Sequence, residues 1–185
     1  MITRSLFAPA RVGALWLKNR IAMAPMTRSR ASDEGVPKPI VSDYYFQRAG
    51  AGLIVSEGVS VSNQAYGFPN VPGIFTDAHE EGWRVVTRRL RGTGACFFMQ
   101  LWHVGRVAHP DNMAGCFPVA PSALAPERDI VTRGGRKPAP IPHELTTDEA
   151  WAVVRDYAQA ARRAFRRRLQ PALRHRDQLR RRTHG

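Results

Sequence analysis

GLIVSEG, residues 52–58, is the stretch on which the fold turns. Leu53, Ile54 and Val55 follow one another without a polar interruption. A strand with one wet face alternates apolar and polar residues, whereas a strand covered on both faces, as in a parallel sheet, reads as a continuous apolar run. Two further segments read the same way, RIAMAPM at 20–26 and ACFFMQLW at 95–102.

Helical patterns separate and follow these runs. Residues 40–49, IVSDYYFQRA, end at Gly50, and residues 77–91 place Trp83, Val86 and Leu90 on one face before Gly92 stops them. TTDE at 146–149 has the spacing of a capping box, and Ala150, Val153, Val154, Tyr157, Ala158, Ala161 and Phe165 then recur at helical spacing. Strand alternating with helix implies right-handed βαβ units and a parallel sheet. On the pattern alone, a closed barrel and an open doubly wound sheet both fit. LFAPARVGALWLKNR, residues 6–20, with Gly13 between short apolar stretches, reads as a hairpin ahead of the first strand. The segment from Val104 to Leu145 holds seven prolines and a Gly134-Gly135 turn, too long for an idle connection, and reads as a lid or an extra hairpin.

The 185 residues carry a net charge of +13, unevenly spread. Residues 1–161 hold 18 basic side chains against 14 acidic ones, whereas residues 162–185 hold ten arginines against Asp177 alone. The body is thus an ordinary mildly basic globule. Two cysteines, Cys96 and Cys116, make no disulfide framework, no apolar run reaches signal-peptide or membrane-spanning length, and the expectation is a cytoplasmic protein.

In parallel α/β folds ligands meet the carboxyl ends of the strands. The three ends here are Pro25–Arg28, Ser56–Gly58 and Gln100–His103. Thr27 offers a hydroxyl, Gly58 lets the backbone approach a ring plane, and the Gln100 carboxamide matches an imide edge such as that of a flavin pyrimidine ring. Each also has a plainer reading: a loop cap, a turn glycine, a solvated amide. The histidines show no metal-ligand spacing, His103 reads as a structural residue, and neither GxxxxGK[ST] nor GxGxxG is present.

Three separated segments, LFAPARVGALWLKNRIAMAPMTRSRA, GLIVSEGVSVSNQAYGFPNVPGIFTDAHEEGW and FMQLWHVGRVAHP, closely resemble the amino-terminal half of the Old Yellow Enzyme family. These are FMN-dependent oxidoreductases (ene-reductases) built on a (β/α)8 TIM barrel. The resemblance runs from about Leu6 to Ala164 and implies a partial barrel of three βα units behind an N-terminal hairpin. It implies cofactor contacts at Pro25, Met26, Thr27, Gly58 and Gln100, with Thr27 tuning the redox potential of the ring. Tyr66 and Trp102 match positions that shape the substrate side. The implied chemistry is hydride transfer from NAD(P)H to FMN, then to the β-carbon of an α,β-unsaturated carbonyl compound, a small-molecule alkene. No metal and no membrane partner is implied.

The departures come late. The resemblance implies a histidine and an asparagine, or a second histidine, three residues apart on a fourth strand, followed by a tyrosine proton donor; RHRDQ at 174–178 contains His175, but Gln178 lies in no apolar strand. The expected organisation is residues 1–165 as the first half of a flavin-binding barrel and 166–185 as an Arg-rich, frameshifted or disordered tail. RRRLQ at 166–170 can be back-translated so that a one-base shift reads AAGF, which suits a helix entering a fourth strand. An eight-stranded barrel takes about 250 residues. The expectation is therefore a truncated, inactive, aggregation-prone chain with weak FMN affinity. The alternative is a non-enzymatic protein that binds nucleic acid nonspecifically through its arginines. Against it, the tail holds no aromatic residue beyond Phe165 for base stacking.

Overall fold

A computed structural model describes residues 5–166 of the chain. The Arg-rich segment read as a separate tail therefore lies, Arg166 apart, outside the described residues. Strands β1 (Ala10–Val12) and β2 (Leu15–Leu17) form the antiparallel hairpin anticipated around Gly13. Gly13 takes a φ of 56°, a left-handed turn position that favours glycine.

Strands β3 (Ala22–Met23), β4 (Leu53–Ser60) and β5 (Cys96–Trp102) make one parallel sheet in that order, Ala22 opposite Leu53 and Leu53 opposite Cys96. Helix α1 (Pro39–Phe46) leads into β4, α2 (Asp77–Leu90) into β5, and α3 (Thr147–Arg166) follows. This is the strand-helix alternation of three βα units, in a partial α/β unit without a closed barrel among the described residues.

The core lies between the sheet and α1 and α2. Tyr45, Trp83 and Phe97 meet there with Ile54, Val59 and Ile74, all almost fully buried. Tyr45 stands edge-on to Phe97 at 5.2 Å between ring centroids, and the Trp83 indole donates to the Gly73 carbonyl at 3.0 Å. At the amino-terminal end of the sheet, Lys18 Nζ donates to the carbonyls of Ala49 and Thr93, and Asn19 Nδ2 to that of Gly50. One short segment after β2 thus ties together the loops that precede β4 and β5.

Helix α2 starts with a capping box in which histidine takes the usual glutamate's place. His79 N–H donates to Thr76 Oγ1, while His79 Nδ1 accepts from the Phe75 and Thr76 backbones. Its Nε2 lies 2.7 Å from the Glu34 carbonyl, which fixes the neutral Nε2–H tautomer. Burial holds this imidazole's pKa below the ordinary histidine value. The box predicted at Thr146–Glu149 also forms, with Thr146 N–H donating to Glu149 Oε2 at 2.7 Å and Glu149 N–H to Thr146 Oγ1 at 3.3 Å.

The proline-rich segment after β5 folds into a small cap. Strands β6 (Val119–Ala120) and β9 (His143–Glu144) pair in parallel, and β7 (Asp129–Thr132) with β8 (Gly135–Pro138) forms the hairpin expected at Gly134-Gly135.

Three expectations change in detail. The first strand is shorter than 20–26, because Pro25 has no N–H for a ladder. The second runs on to Ser60, so Gly58 is an interior strand residue and no turn. On α3, Val153, Tyr157 and Ala160 face the body, whereas Val154, Trp151 and Phe165 are exposed. The apolar stripe read from the sequence is thus wider than the face that has neighbours among the described residues.

Candidate functional site

The ladder between β4 and β5 is irregular where the candidates lie. Val55 pairs with Phe98 and Gly58 with Gln100, so Ser56 and Glu57 form a bulge with one residue more than the partner strand. Inside the bulge Ser56 Oγ accepts from Gln100 N–H at 3.0 Å and donates to the Glu57 carbonyl at 2.7 Å. The hydroxyl replaces a missing ladder bond and sets Gln100 directly opposite Gly58.

Beyond β3, the Pro25–Thr27 segment reaches the same end of the sheet, because Arg28 N–H donates to Glu57 Oε2 at 3.0 Å. Pro25, Met26, Thr27 and Gln100 are all exposed there. Neither the Thr27 hydroxyl nor the Gln100 carboxamide has a partner among the described residues. The Thr27 hydroxyl and the Gln100 carboxamide are thus exposed toward the same end of the sheet, while Gly58, opposite Gln100, is buried. A hydroxyl and a carboxamide together offer both donors and acceptors to a polar ligand.

Two of the expected roles are altered by contacts. A Cβ on Gly58 would stand 2.3 Å from the Trp102 ring, so the missing side chain makes room for an indole of this chain itself. Trp102 is pinned over that glycine: its Nε1–H donates to Ser60 Oγ at 3.2 Å, and its ring stacks on Phe68 at 6.2 Å. Tyr66 does not join the open face. Its ring is buried edge-on to Phe75, its hydroxyl donates to the Glu34 carbonyl at 3.3 Å, and burial raises its pKa well above the ordinary tyrosine value. These are the contacts of a packing post.

The residue that sequence reading passed over is Glu57. Only 1% exposed, it occupies the bulge behind the tips, and its backbone N–H donates to the Tyr45 hydroxyl at 2.9 Å. Burial pushes the Glu57 carboxyl above the ordinary range, opposed by the backbone N–H groups of Arg28 and Ser29 and by the Arg28 charge. The signal was a glutamate inside an otherwise apolar run, since a buried carboxylate needs donors around it.

His103, just beyond β5, accepts from Gly105 N–H through Nδ1 at 3.0 Å, and its buried Nε2 has no partner among the described residues. It lines a separate hollow of about 330 Å³ with Arg106, Val119, Leu145 and Val153, between the cap and α3. Among the described residues there is no cluster of side chains able to hold a metal ion, and no helix long and apolar enough to cross a membrane.

Comparison with known proteins shows the family and the fold. The sequence model of the NADH:flavin oxidoreductase / NADH oxidase family matches residues 5–167. The chain is 44% identical over 164 residues to chanoclavine-I aldehyde reductase of Penicillium roqueforti, covering 86% of this chain and 42% of that protein. The structure of the old yellow enzyme homologue from Zymomonas mobilis superposes with a TM-score of 0.84 at 44% identity, covering 88% of this chain and 46% of the other. Morphinone reductase in complex with tetrahydroNAD superposes with a TM-score of 0.81 at 45% identity, over 88% of this chain and 47% of that one. The chain thus spans somewhat less than half the length of these relatives.

Proposed function

Because the chain belongs to the NADH:flavin oxidoreductase / NADH oxidase family, we propose that these residues form the flavin-side half of an FMN-dependent oxidoreductase site. The observation that carries this reading is the ladder pairing of Gly58 with Gln100, next to a Thr27 segment tied in by Arg28.

In this reading the Thr27 hydroxyl donates to a carbonyl at the ring's redox-active end and favours added negative charge on reduction. The Gln100 carboxamide donates and accepts at the imide end and fixes the ring's orientation. Pro25 and Met26 supply the apolar surface on which a flat ring rests, and Trp102, held over Gly58, keeps water from that side. Bound FMN supplies storage for a hydride taken from NAD(P)H and given to an electron-poor carbon–carbon double bond. The substrate class we propose is the α,β-unsaturated carbonyl compound.

Residues matching the family's substrate-carbonyl pair are not identified in these 185 residues. The activity proposed for this polypeptide by itself is accordingly FMN binding without alkene turnover. The rival reading is a basic protein holding nucleic acid through the Arg-rich tail; just ahead of that tail, Arg163 is already engaged, its guanidinium pairing with Asp77 at 2.6 Å and Glu80 at 3.3 Å.

Titration of the 185-residue chain with FMN, followed by flavin fluorescence, tests the proposal. Quenching that saturates, with affinity about tenfold weaker in Gln100→Ala, is expected for the loss of a two-point amide contact. No saturable response at any FMN concentration would overturn it. Reduction of 2-cyclohexenone by the FMN-loaded chain would overturn the claim that this stretch alone does not turn over.

A further inference from the structure

The Pro25–Arg28 segment has no ladder of its own beyond Met23, and Ser29 next to it takes a φ of 51°, a left-handed conformation unfavourable for a residue with a Cβ. Something must hold this turn. The group in place is Glu57: its Oε2 accepts from Arg28 N–H at 3.0 Å, and the Ser29 backbone N–H also favours its charged form. A backbone N–H donating to a carboxylate next to a left-handed residue ties down a turn that the sheet does not hold.

The carboxylate is anchored from behind as well. Its backbone N–H is bonded to the hydroxyl of the fully buried Tyr45 of α1, and its neighbour Ser56 sets the position of Gln100. Glu57 Oε1 has no partner among the described residues. A buried carboxylate with an idle oxygen costs stability, and its retention in the bulge points to a task other than packing. The charged group facing it is Arg28, from the turn it grips, and the neutral Tyr45 hydroxyl lies beside it from α1.

We infer that Glu57 is a positioning residue, whose buried carboxylate holds the Arg28–Ser29 turn so that Thr27 is presented to the cofactor beside Gly58 and Gln100. This deepens the flavin reading and rests on it. Glu57 acts through Thr27 and touches no reacting atom.

The test uses the 185-residue chain and its Glu57→Gln, Glu57→Leu, Thr27→Val and Glu57→Leu/Thr27→Val variants. Amide hydrogen exchange without flavin reads the turn itself. Glu57→Leu should speed exchange at Arg28 and Ser29 about tenfold or more, the loss of charge-assisted bonds, and Glu57→Gln, which keeps one acceptor oxygen, only several-fold. Titrations with oxidised and with reduced FMN then give the ratio of the two affinities, a measure of redox tuning that a purely structural residue leaves alone. Glu57→Leu should change this ratio in the Thr27 chain and leave it unchanged once Thr27 is Val. Should Glu57→Leu fail to fold, Glu57→Gln carries both readouts at smaller amplitude. Unaltered exchange at Arg28 and Ser29 in both variants, or a ratio shift that persists in the Thr27→Val background, overturns the inference. No FMN response from the unaltered chain sinks the flavin reading and this role with it, whereas a flavin response indifferent to Glu57 sinks the role alone.

Discussion

Replacing Gly58 by alanine is the sharpest test of how this end of the sheet is built. Gly58 does not sit at positive φ, so its backbone accepts a side chain, and on chain entropy alone Gly→Ala stabilises by about 0.4–1 kcal/mol. The ring of Trp102 decides otherwise. The new Cβ would lie 2.3, 2.4 and 2.7 Å from three of its carbons, and ordinary contact begins at 3.4 Å, so the indole must retreat by more than 1 Å. It cannot do so freely, being bonded to Ser60 Oγ and stacked on Phe68. Overpacking of this kind costs about 1–3 kcal/mol. A lost indole hydrogen bond adds about 0.5–1.5 kcal/mol. Less the entropy gain, the expected penalty is about 0.5–4 kcal/mol, which with a urea slope of about 2 kcal/mol/M lowers the unfolding midpoint by up to about 2 M. Urea titration of the wild type, Gly58→Ala, Trp102→Leu and the double variant closes the cycle. With the indole gone, alanine at 58 should cost little or turn favourable. If its penalty is the same in both backgrounds, within the roughly 0.3–0.5 kcal/mol expected of independent sites, the ring is not what excludes a side chain and the reasoning fails.

Three further outcomes follow from buried side chains. His79 has a folded pKa below its unfolded value, so its contribution is fully present above the ordinary histidine value of 6.5 and is lost as pH falls through 6.5 toward the lower folded value. The urea midpoint should drop between about pH 7.5 and 5.5, and His79→Gln should flatten that part of the profile. Glu57 has the opposite sign: its folded pKa lies above 4.5, so its contribution is complete below 4.5 and is lost as pH rises through the folded value, and Glu57→Gln should remove that slope. Trp83→Phe keeps most of the buried ring but leaves the Gly73 carbonyl without the donor it holds at 3.0 Å. A loss of about 1–3 kcal/mol in urea unfolding is expected.

Much of this could be read from residue order, and the misses have physical causes. The apolar runs at 52–58 and 95–102 point to a parallel sheet, and Gly13 to a hairpin, because both signals are local. Gly58 was placed at a strand end because a glycine after an apolar run normally marks a turn. Its actual reason, an indole 44 residues later, is a tertiary fact. The bulge at Ser56-Glu57 is equally invisible, since it exists only as a count of residues against the partner strand. Family likeness points Tyr66 to the substrate side, whereas its hydroxyl bond to the Glu34 carbonyl is a tertiary contact that residue order does not show. Histidine in a capping box at Thr76 escaped because the usual signature there is glutamate or glutamine.

The ammonium of Lys18 collects carbonyls from 31 and 75 residues further along the chain. It finds its partners only after both helical crossovers have docked, so it works as a latch that shuts last and contributes little to the transition state. Lys18→Met should then quicken unfolding while leaving the refolding rate nearly untouched. The latch sits at the rim opposite Thr27 and Gln100, so the durability of this scaffold and its chemistry can be altered independently.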